Sequence, residues 1–179
     1  IMIMVNFLAL YPPAAYETGL KVVTSSVRVM SPDTIEPRVK CIGKYASNIM
    51  AKQEANRQGA GEALMLNAMG QVAECSGDNI FIICKGVIRT HHPSCGILQG
   101  VTRDTVINIA RQAGYTVIEE VLTPFDLATA DEAFLTGTAA EVIPMIELDA
   151  KPIGNGKPGA ITKRLMQLFR DATVNGTPF

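Results

Sequence analysis

The stretch ALMLNAMGQVAECSGDNIFIICKGVIRT, residues 63–90, decides the fold. Four short runs rich in aliphatic side chains follow one another in it, at 63–66, 71–73, 80–84 and 87–90. Met69-Gly70 and Lys85-Gly86 lie between them, as residues suited to tight turns. Several strands in succession, with helical stretches between the groups, predict a mixed α+β domain rather than a regular alternation of strand and helix.

Toward the N-terminus, residues 45–58 read as a helix, with apolar residues at Ile49, Met50 and Ala55, good helix formers, and a stop at Gly59. Residues 20–29 form a β-rich run after Gly19, and Ser31-Pro32-Asp33 turns the chain. Residues 1–10 are almost wholly apolar. They have no basic lead and are too short to cross a bilayer, so an interior strand ended by Pro12-Pro13 is expected, not a signal peptide. Ile1 ahead of Met2 gives the further expectation that position 1 is not the natural start of the polypeptide.

Toward the C-terminus, a second helix opens at Thr102, with Asp104 in its first turn, Val106, Ile107, Ile109 and Ala110 as its apolar face, and Gly114 past its end. Residues 115–122 read as a strand, and Thr123 caps a short helix after Pro124. Residues 133–136 and 142–148 are strands on either side of Gly137-Thr138-Ala139-Ala140. Residues 151–159 form an ordered loop. Residues 160–172 close the chain as an amphipathic helix with Ile161, Leu165, Leu168 and Phe169 inward.

At 179 residues and 47% hydrophobic, the chain can form one compact domain with a sizeable core. Its 16 basic and 17 acidic residues nearly cancel, and no run of Lys and Arg marks a nucleic-acid or membrane surface. Cys41, Cys75, Cys84 and Cys95 form no CxxC pair and have no metal-ligand spacing, which fits free thiols in a reducing cytoplasm. His91-His92 lacks a third ligand at useful spacing, so no metal site is expected.

Four segments carry chemistry-bearing residues. In Pro37-Arg38-Val39-Lys40, the lysine is flanked by Val39, Cys41 and Ile42, a setting expected to desolvate its amine and suit it to Schiff-base formation. Glu74 ends an apolar strand ahead of Cys75-Ser76-Gly77-Asp78-Asn79, where an unpaired carboxylate is costly and wants a partner such as a protonated ring nitrogen. Gly96-Ile97-Leu98-Gln99-Gly100-Val101-Thr102-Arg103-Asp104 leads into a helix whose first amides, at Val101 and Thr102, form an anion cup. Thr136-Gly137-Thr138-Ala139-Ala140-Glu141 brings backbone amides of small residues close to a carboxylate or phosphate. Read singly, each has a plainer explanation: a surface lysine, a polar turn, Thr102 capping its own helix, and a tight β-connection.

Taken in order, the set resembles the class IV (fold type IV) pyridoxal-phosphate aminotransferases, most closely the branched-chain amino-acid aminotransferases. The likeness runs from about residue 20 to about residue 169. It implies the cofactor-binding large domain of that fold, a barrel-like sheet surrounded by helices, with an N-terminal small domain absent from these 179 residues.

The resemblance assigns Lys40 the covalent link to pyridoxal 5'-phosphate and the general-base role, and Tyr45, five residues on, a hydrogen bond to the cofactor's phenolic oxygen. Glu74 pairs with the ring nitrogen and Leu98 packs on the ring face. Val101, Thr102 and Thr138 hold the phosphate, and the Thr138 and Ala139 amides bind the substrate carboxylate. Lys44 stands where the family usually has asparagine, Gln99 where proline is usual and Cys75 where glycine is usual. Asp78 replaces the commoner glutamate.

The implied activity is transamination of leucine, isoleucine or valine with 2-oxoglutarate in a cytoplasmic homodimer or higher homo-oligomer. Alternatives on the same fold are a D-amino-acid aminotransferase, an aminodeoxychorismate lyase, or a truncated non-catalytic dimerisation module. Without the small domain, the 179-residue chain alone is expected to be a poor transaminase.

Overall fold

The computed structural model describes residues 10–174, so the strand expected at 1–10 lies almost wholly outside the described residues. In chain order the elements are α1 (Pro13–Thr18), β1 (Leu20–Thr24), α2 (Ile42–Arg57), β2 (Glu62–Leu66), β3 (Val72–Cys75), β4 (Asn79–Cys84), β5 (Val87–His91), α3 (Val101–Gln112), β6 (Val117–Glu120), α4 (Pro124–Ala128), β7 (Glu132–Gly137), β8 (Glu141–Leu148), β9 (Lys151–Pro152) and α5 (Ala160–Val174). The four runs within 63–90 are therefore strands, as their composition predicts.

The strands form one mixed sheet in the order β3-β2-β1-β8-β7-β4-β5-β6, with β9 paired to β8. Consecutive strands give the antiparallel pairs β2–β3, β4–β5, β7–β8 and β8–β9, and β4 also pairs antiparallel with β7. The parallel pairs β1–β2, β1–β8 and β5–β6 need longer returns. At the β4–β5 turn, Lys85 and Gly86 both take positive φ, matching the twist of a two-residue hairpin. The Val72 N–H, at the start of β3, donates to the Leu122 carbonyl just past β6 (2.8 Å). The two ends of the strand order thus meet, and the sheet curls into a half-barrel.

Alternation along the strands divides the core. Leu64, Leu66, Ile80, Ile82, Leu135, Ile143 and Met145 pack on one face with Ala15 of α1 and Leu127 of α4. Their neighbours Phe81, Ile83, Phe134 and Val142 meet Val106, Ile107 and Ala110 of α3 and Leu165, Met166 and Phe169 of α5. Phe81 and Phe134 are cross-strand partners and stack at 4.7 Å, a pairing worth about 0.5–1.5 kcal/mol beyond area burial. Thr123 caps α4 through a full capping box with Asp126.

Helix α2 covers a third patch, formed by Ala63, Met65 and Ala73, but turns an unexpected face to it. Its buried residues are Lys44, Asn48, Ala51 and Ala55, spaced i, i+4, i+7, i+11. Ile42, Ile49 and Met50 are exposed. The sheet beneath carries the buried polar residues Glu74 and Ser76, so the helix meets it with small and polar side chains.

Candidate active site

Three of the four segments converge where α2, packed on β2, reaches Glu74 of β3 and the Ser76 turn. Lys40 lies in coil just ahead of α2, and its Nζ donates to the Tyr45 Oη at 2.7 Å. Contrary to the expectation of a desolvated amine, Lys40 is exposed, as are Val39 and Ile42. The segment before α2 runs over the surface, so its apolar side chains do not shield the amine. What orients the amine is Tyr45.

Two contacts tie α2 to the second segment. The Asn48 Nδ2 donates to the Ser76 carbonyl (2.9 Å). Lys44 Nζ lies 3.0 Å from Glu74 Oε1, with both side chains buried, and also donates to the Pro37 carbonyl (3.0 Å). The partner that Glu74 requires is thus already present within the chain. Its other oxygen, Oε2, accepts the Leu98 N–H (2.8 Å). Burial pushes the Glu74 carboxyl above its ordinary range, while Lys44, the Leu98 amide and Lys40 pull it back.

Asn79 fastens the third segment, its Nδ2 donating to the Leu98 carbonyl (2.9 Å). A Cβ on Gly100 would overlap the Asn79 Oδ1, so only glycine allows α3 to start this close to β4. Gly100 is also the N-cap of α3 and no side chain caps the helix. Thr102 is therefore not a cap but a buried residue inside the first turn, and Val101 is exposed at the helix start. The first amides of this 12-residue helix are left for an anion.

The fourth segment joins through Gly137, where a Cβ would overlap the Asp78 Oδ1. Thr138 is exposed in the β7–β8 turn. Ala139 faces a separate cavity, shared with Tyr11, Tyr16, Glu141 and Arg170. Lys40, Tyr45, Glu74 and Leu98 are thus joined through direct contacts and through Lys44 and Asn79, and the α3 start is fixed beside them. Thr138 and Ala139 approach only through Gly137.

The crevice lined by Tyr45, Asn48, Glu74, Asn79 and Leu98 offers a phenol and a buried carboxylate, with the Lys40 amine held on that phenol and the α3 N-terminus two residues beyond Leu98. That set suits a ligand with an electrophilic carbonyl, a ring nitrogen and an anionic group. Among the described residues no three His, Cys, Asp or Glu are grouped to hold a metal.

Residues 1–148 match the family Amino-transferase class IV. The chain belongs to the class IV aminotransferases. It is 46% identical over 160 residues to a putative branched-chain-amino-acid aminotransferase of Methanocaldococcus jannaschii, covering 89% of this chain and 55% of that protein. Among solved structures, the Escherichia coli branched-chain amino acid aminotransferase superposes with a TM-score of 0.92 at 34% identity, covering 97% of this chain and 57% of that one. The branched-chain amino acid aminotransferase of Thermobaculum terrenum, solved with its pyridoxal phosphate, gives a TM-score of 0.86 at 36% identity, covering 90% and 53%. This class IV chain therefore spans about half the length of the relatives it matches.

Several polar residues of this class IV site escape a segment-by-segment reading. Asn48 has no local signal beyond its phase with Lys44, Ala51 and Ala55 on α2. Arg103 is fully buried and bonds the His91 carbonyl and Glu119, each at 2.8 Å; its signal is its phase with Val106, Ile107 and Ala110. Behind the Ser76 turn, the Tyr11 hydroxyl donates to Asp78 (2.8 Å), and Glu62 accepts from the Ser76 hydroxyl and the Gly77 N–H.

Asp78 makes this turn pH-sensitive. Burial pushes its carboxyl up to about 7; the Glu62 charge adds to the rise, and the Tyr11 hydroxyl and Lys52 oppose it. The folded state therefore holds this proton more tightly than the unfolded state does. The resulting stability is complete below the ordinary value of 3.8 and is lost as pH rises through about 7. Asp78→Asn keeps an acceptor for Tyr11 without a charge. It is expected to match the wild type near pH 4 and to exceed it near pH 8 by at least about 1 kcal/mol, since each tenfold change in proton affinity is worth about 1.4 kcal/mol. Denaturant unfolding at the two pH values tests this, and a variant-minus-wild-type difference that does not grow with pH counts against it.

Proposed function

We propose that this chain is the cofactor-binding part of a pyridoxal-phosphate-dependent branched-chain amino-acid aminotransferase. The activity is exchange of an amino group between leucine, isoleucine or valine and 2-oxoglutarate, in a cytoplasmic homodimer. The observation that carries the reading is a crevice lined by Tyr45, which holds Lys40, and by the buried Glu74 carboxylate, with Leu98, bonded to Glu74, leading toward the uncapped start of α3. The names of the relatives support the substrate class. The four free cysteines fit the compartment, and among the described residues no helix is long and apolar enough to cross a membrane.

These residues fit pyridoxal phosphate. The strongest sign in the structure is the uncapped α3, where Gly100 leaves the Val101 and Thr102 amides without a side-chain acceptor. A phosphate there gains hydrogen bonds and the favourable end of the helix dipole. When bound, the cofactor supplies the electron sink that stabilises the carbanion left by loss of the substrate α-proton.

The chain's own groups do the rest. Lys40 Nζ, exposed and aimed by Tyr45, would hold the cofactor covalently through its aldehyde with loss of water, and as a free amine would be the base for the substrate's α-proton. Tyr45 Oη would hold the ring's phenolic oxygen, and Glu74 would keep a proton on the ring nitrogen. Leu98 is fixed by Glu74 through its N–H and by Asn79 through its carbonyl, and would pack on the cofactor ring. Thr102 and Thr138 would add hydroxyls to the phosphate, and the Thr138 and Ala139 amides are assigned the substrate carboxylate on the resemblance, Ala139 itself facing the neighbouring cavity.

Borohydride reduction of the cofactor-loaded full-length protein, followed by peptide mapping, is expected to place the phosphopyridoxyl group on Lys40. An adduct on Lys44 or Lys52 overturns the assignment.

A further inference from the structure

Glu74 and Lys44 form the one ion pair, among the described residues, in which both side chains are almost fully buried, at 5% and 4% exposure. It sits on the carboxylate that the proposed function assigns to the cofactor's ring nitrogen, and this inference rests on that reading. A carboxylate has about four lone-pair directions. Lys44 uses one on Oε1 and the Leu98 amide uses one on Oε2, so Glu74 can accept a third donor while keeping both bonds. Lys44 is itself held by the Pro37 carbonyl, which anchors the ammonium to the coil ahead of α2.

We propose that Lys44 is a positioning residue that moderates Glu74. It fixes the carboxylate through Oε1 and takes up part of its charge, so that the ring nitrogen holds its proton less tightly than it would over Glu74 alone. The physical reason is competition. A protonated ring nitrogen and the Lys44 ammonium are like charges sharing one carboxylate in a site with little water, and each weakens the other's pairing.

The other charged and titratable groups nearby do not replace this effect. Lys40, on the approach to α2, also acts on Glu74, but from an exposed position and with a smaller influence than Lys44. Tyr45 donates no bond to Glu74; its hydroxyl is engaged with Lys40. Glu62, Asp78 and Lys52 surround Cys75, the next residue along β3, and their influence falls on that thiol. Lys44 is the ammonium in contact with the carboxylate, and asparagine or methionine in its place would leave no cation competing with the ring nitrogen for Glu74.

The test uses full-length protein loaded with pyridoxal phosphate carrying ¹⁵N in the ring, and follows the nitrogen signal by NMR as pH is raised. The wild-type midpoint at which the proton leaves is the reference. In Lys44→Asn the midpoint is expected at least about one pH unit, or tenfold, higher. Lys44→Arg, which keeps the charge, is expected to restore the wild-type behaviour, which a merely space-filling role would not require.

Equal midpoints in the wild type and Lys44→Asn overturn the inference. So does a Lys44→Arg midpoint that follows Lys44→Asn rather than the wild type. Protein that does not retain the labelled cofactor refutes the proposed function, and this inference with it. Retention with no effect of Lys44 refutes this inference alone.

Discussion

Glu74→Gln in the full-length protein is expected to cut turnover by about two orders of magnitude or more, the scale of removing one electrostatic partner from developing charge. Cofactor binding should largely survive, because the covalent link proposed at Lys40 and the phosphate site proposed at α3 are untouched. Resemblance alone would make this a purely chemical lesion. The structure adds a second effect, because the carboxylate also neutralises the buried Lys44 ammonium. Breaking a buried pair by removing one partner costs about 3–5 kcal/mol. Here the glutamine carbonyl and the Pro37 carbonyl still accept from Lys44 Nζ, so a loss of about 1–3 kcal/mol is expected.

The two effects separate in the double variant Lys44→Met/Glu74→Gln. Replacing both members of a buried ion pair by groups of similar volume can be neutral or stabilising, so the unfolding midpoint should return toward the wild type. Turnover should not return, because the ring nitrogen still lacks its carboxylate. Steady-state kinetics and denaturant unfolding on the four proteins of the cycle decide the matter. A Glu74→Gln enzyme turning over at the wild-type rate shows that the carboxylate is not on the ring nitrogen. A double variant that regains both properties shows that the single lesion was structural.

Lys44 also marks where the sequence stops being readable. The strands within 63–90, the capping box at Thr123 and the spacing of Lys40 to Tyr45 are local features, and each stands in the structure where its residues predict. The inward face of α2 is a different kind of fact. An apolar count over 45–58 points to Ile49 and Met50, yet both are exposed, and the buried line runs through Lys44, Asn48, Ala51 and Ala55. That choice depends on Glu74 and Ser76, about thirty residues downstream, which only the folded sheet places under the helix. The close approaches at Gly100 and Gly137 are equally non-local, because what a Cβ would strike there belongs to Asn79 and Asp78. So too is the parallel pairing of β1 with β8, which joins residue 20 to residue 145.

Arg103 extends the same lesson to α3. Its guanidinium is 1% exposed and lies in phase with the apolar line Val106, Ile107 and Ala110, yet it serves as a polar rivet. It donates to the His91 carbonyl at the end of β5, to Glu119 on β6 and to Asp104 on its own helix. Its bond to Glu119 is the first cause holding that carboxyl below the usual range.

Arg103→Met, which keeps much of the aliphatic length, is expected to destabilise the protein by about 2–4 kcal/mol. That is somewhat less than for a fully buried pair, because Glu119 is 31% exposed and can rehydrate, whereas the buried end of β5 loses a donor. The larger functional consequence is geometric. Gly100 and the first amides of α3 are set against Asn79 with no room to spare, and Arg103 holds that end of the helix to β5 and β6. A shift of about 1 Å at a positioned anion site can cost a hundredfold in rate, and cofactor affinity should fall at least about tenfold as phosphate bonds lengthen. Titration of apo Arg103→Met with pyridoxal phosphate, well below its unfolding midpoint, separates the two effects. Wild-type affinity in a destabilised but folded variant would mean that Asn79 and Gly100 fix the start of α3 without the rivet.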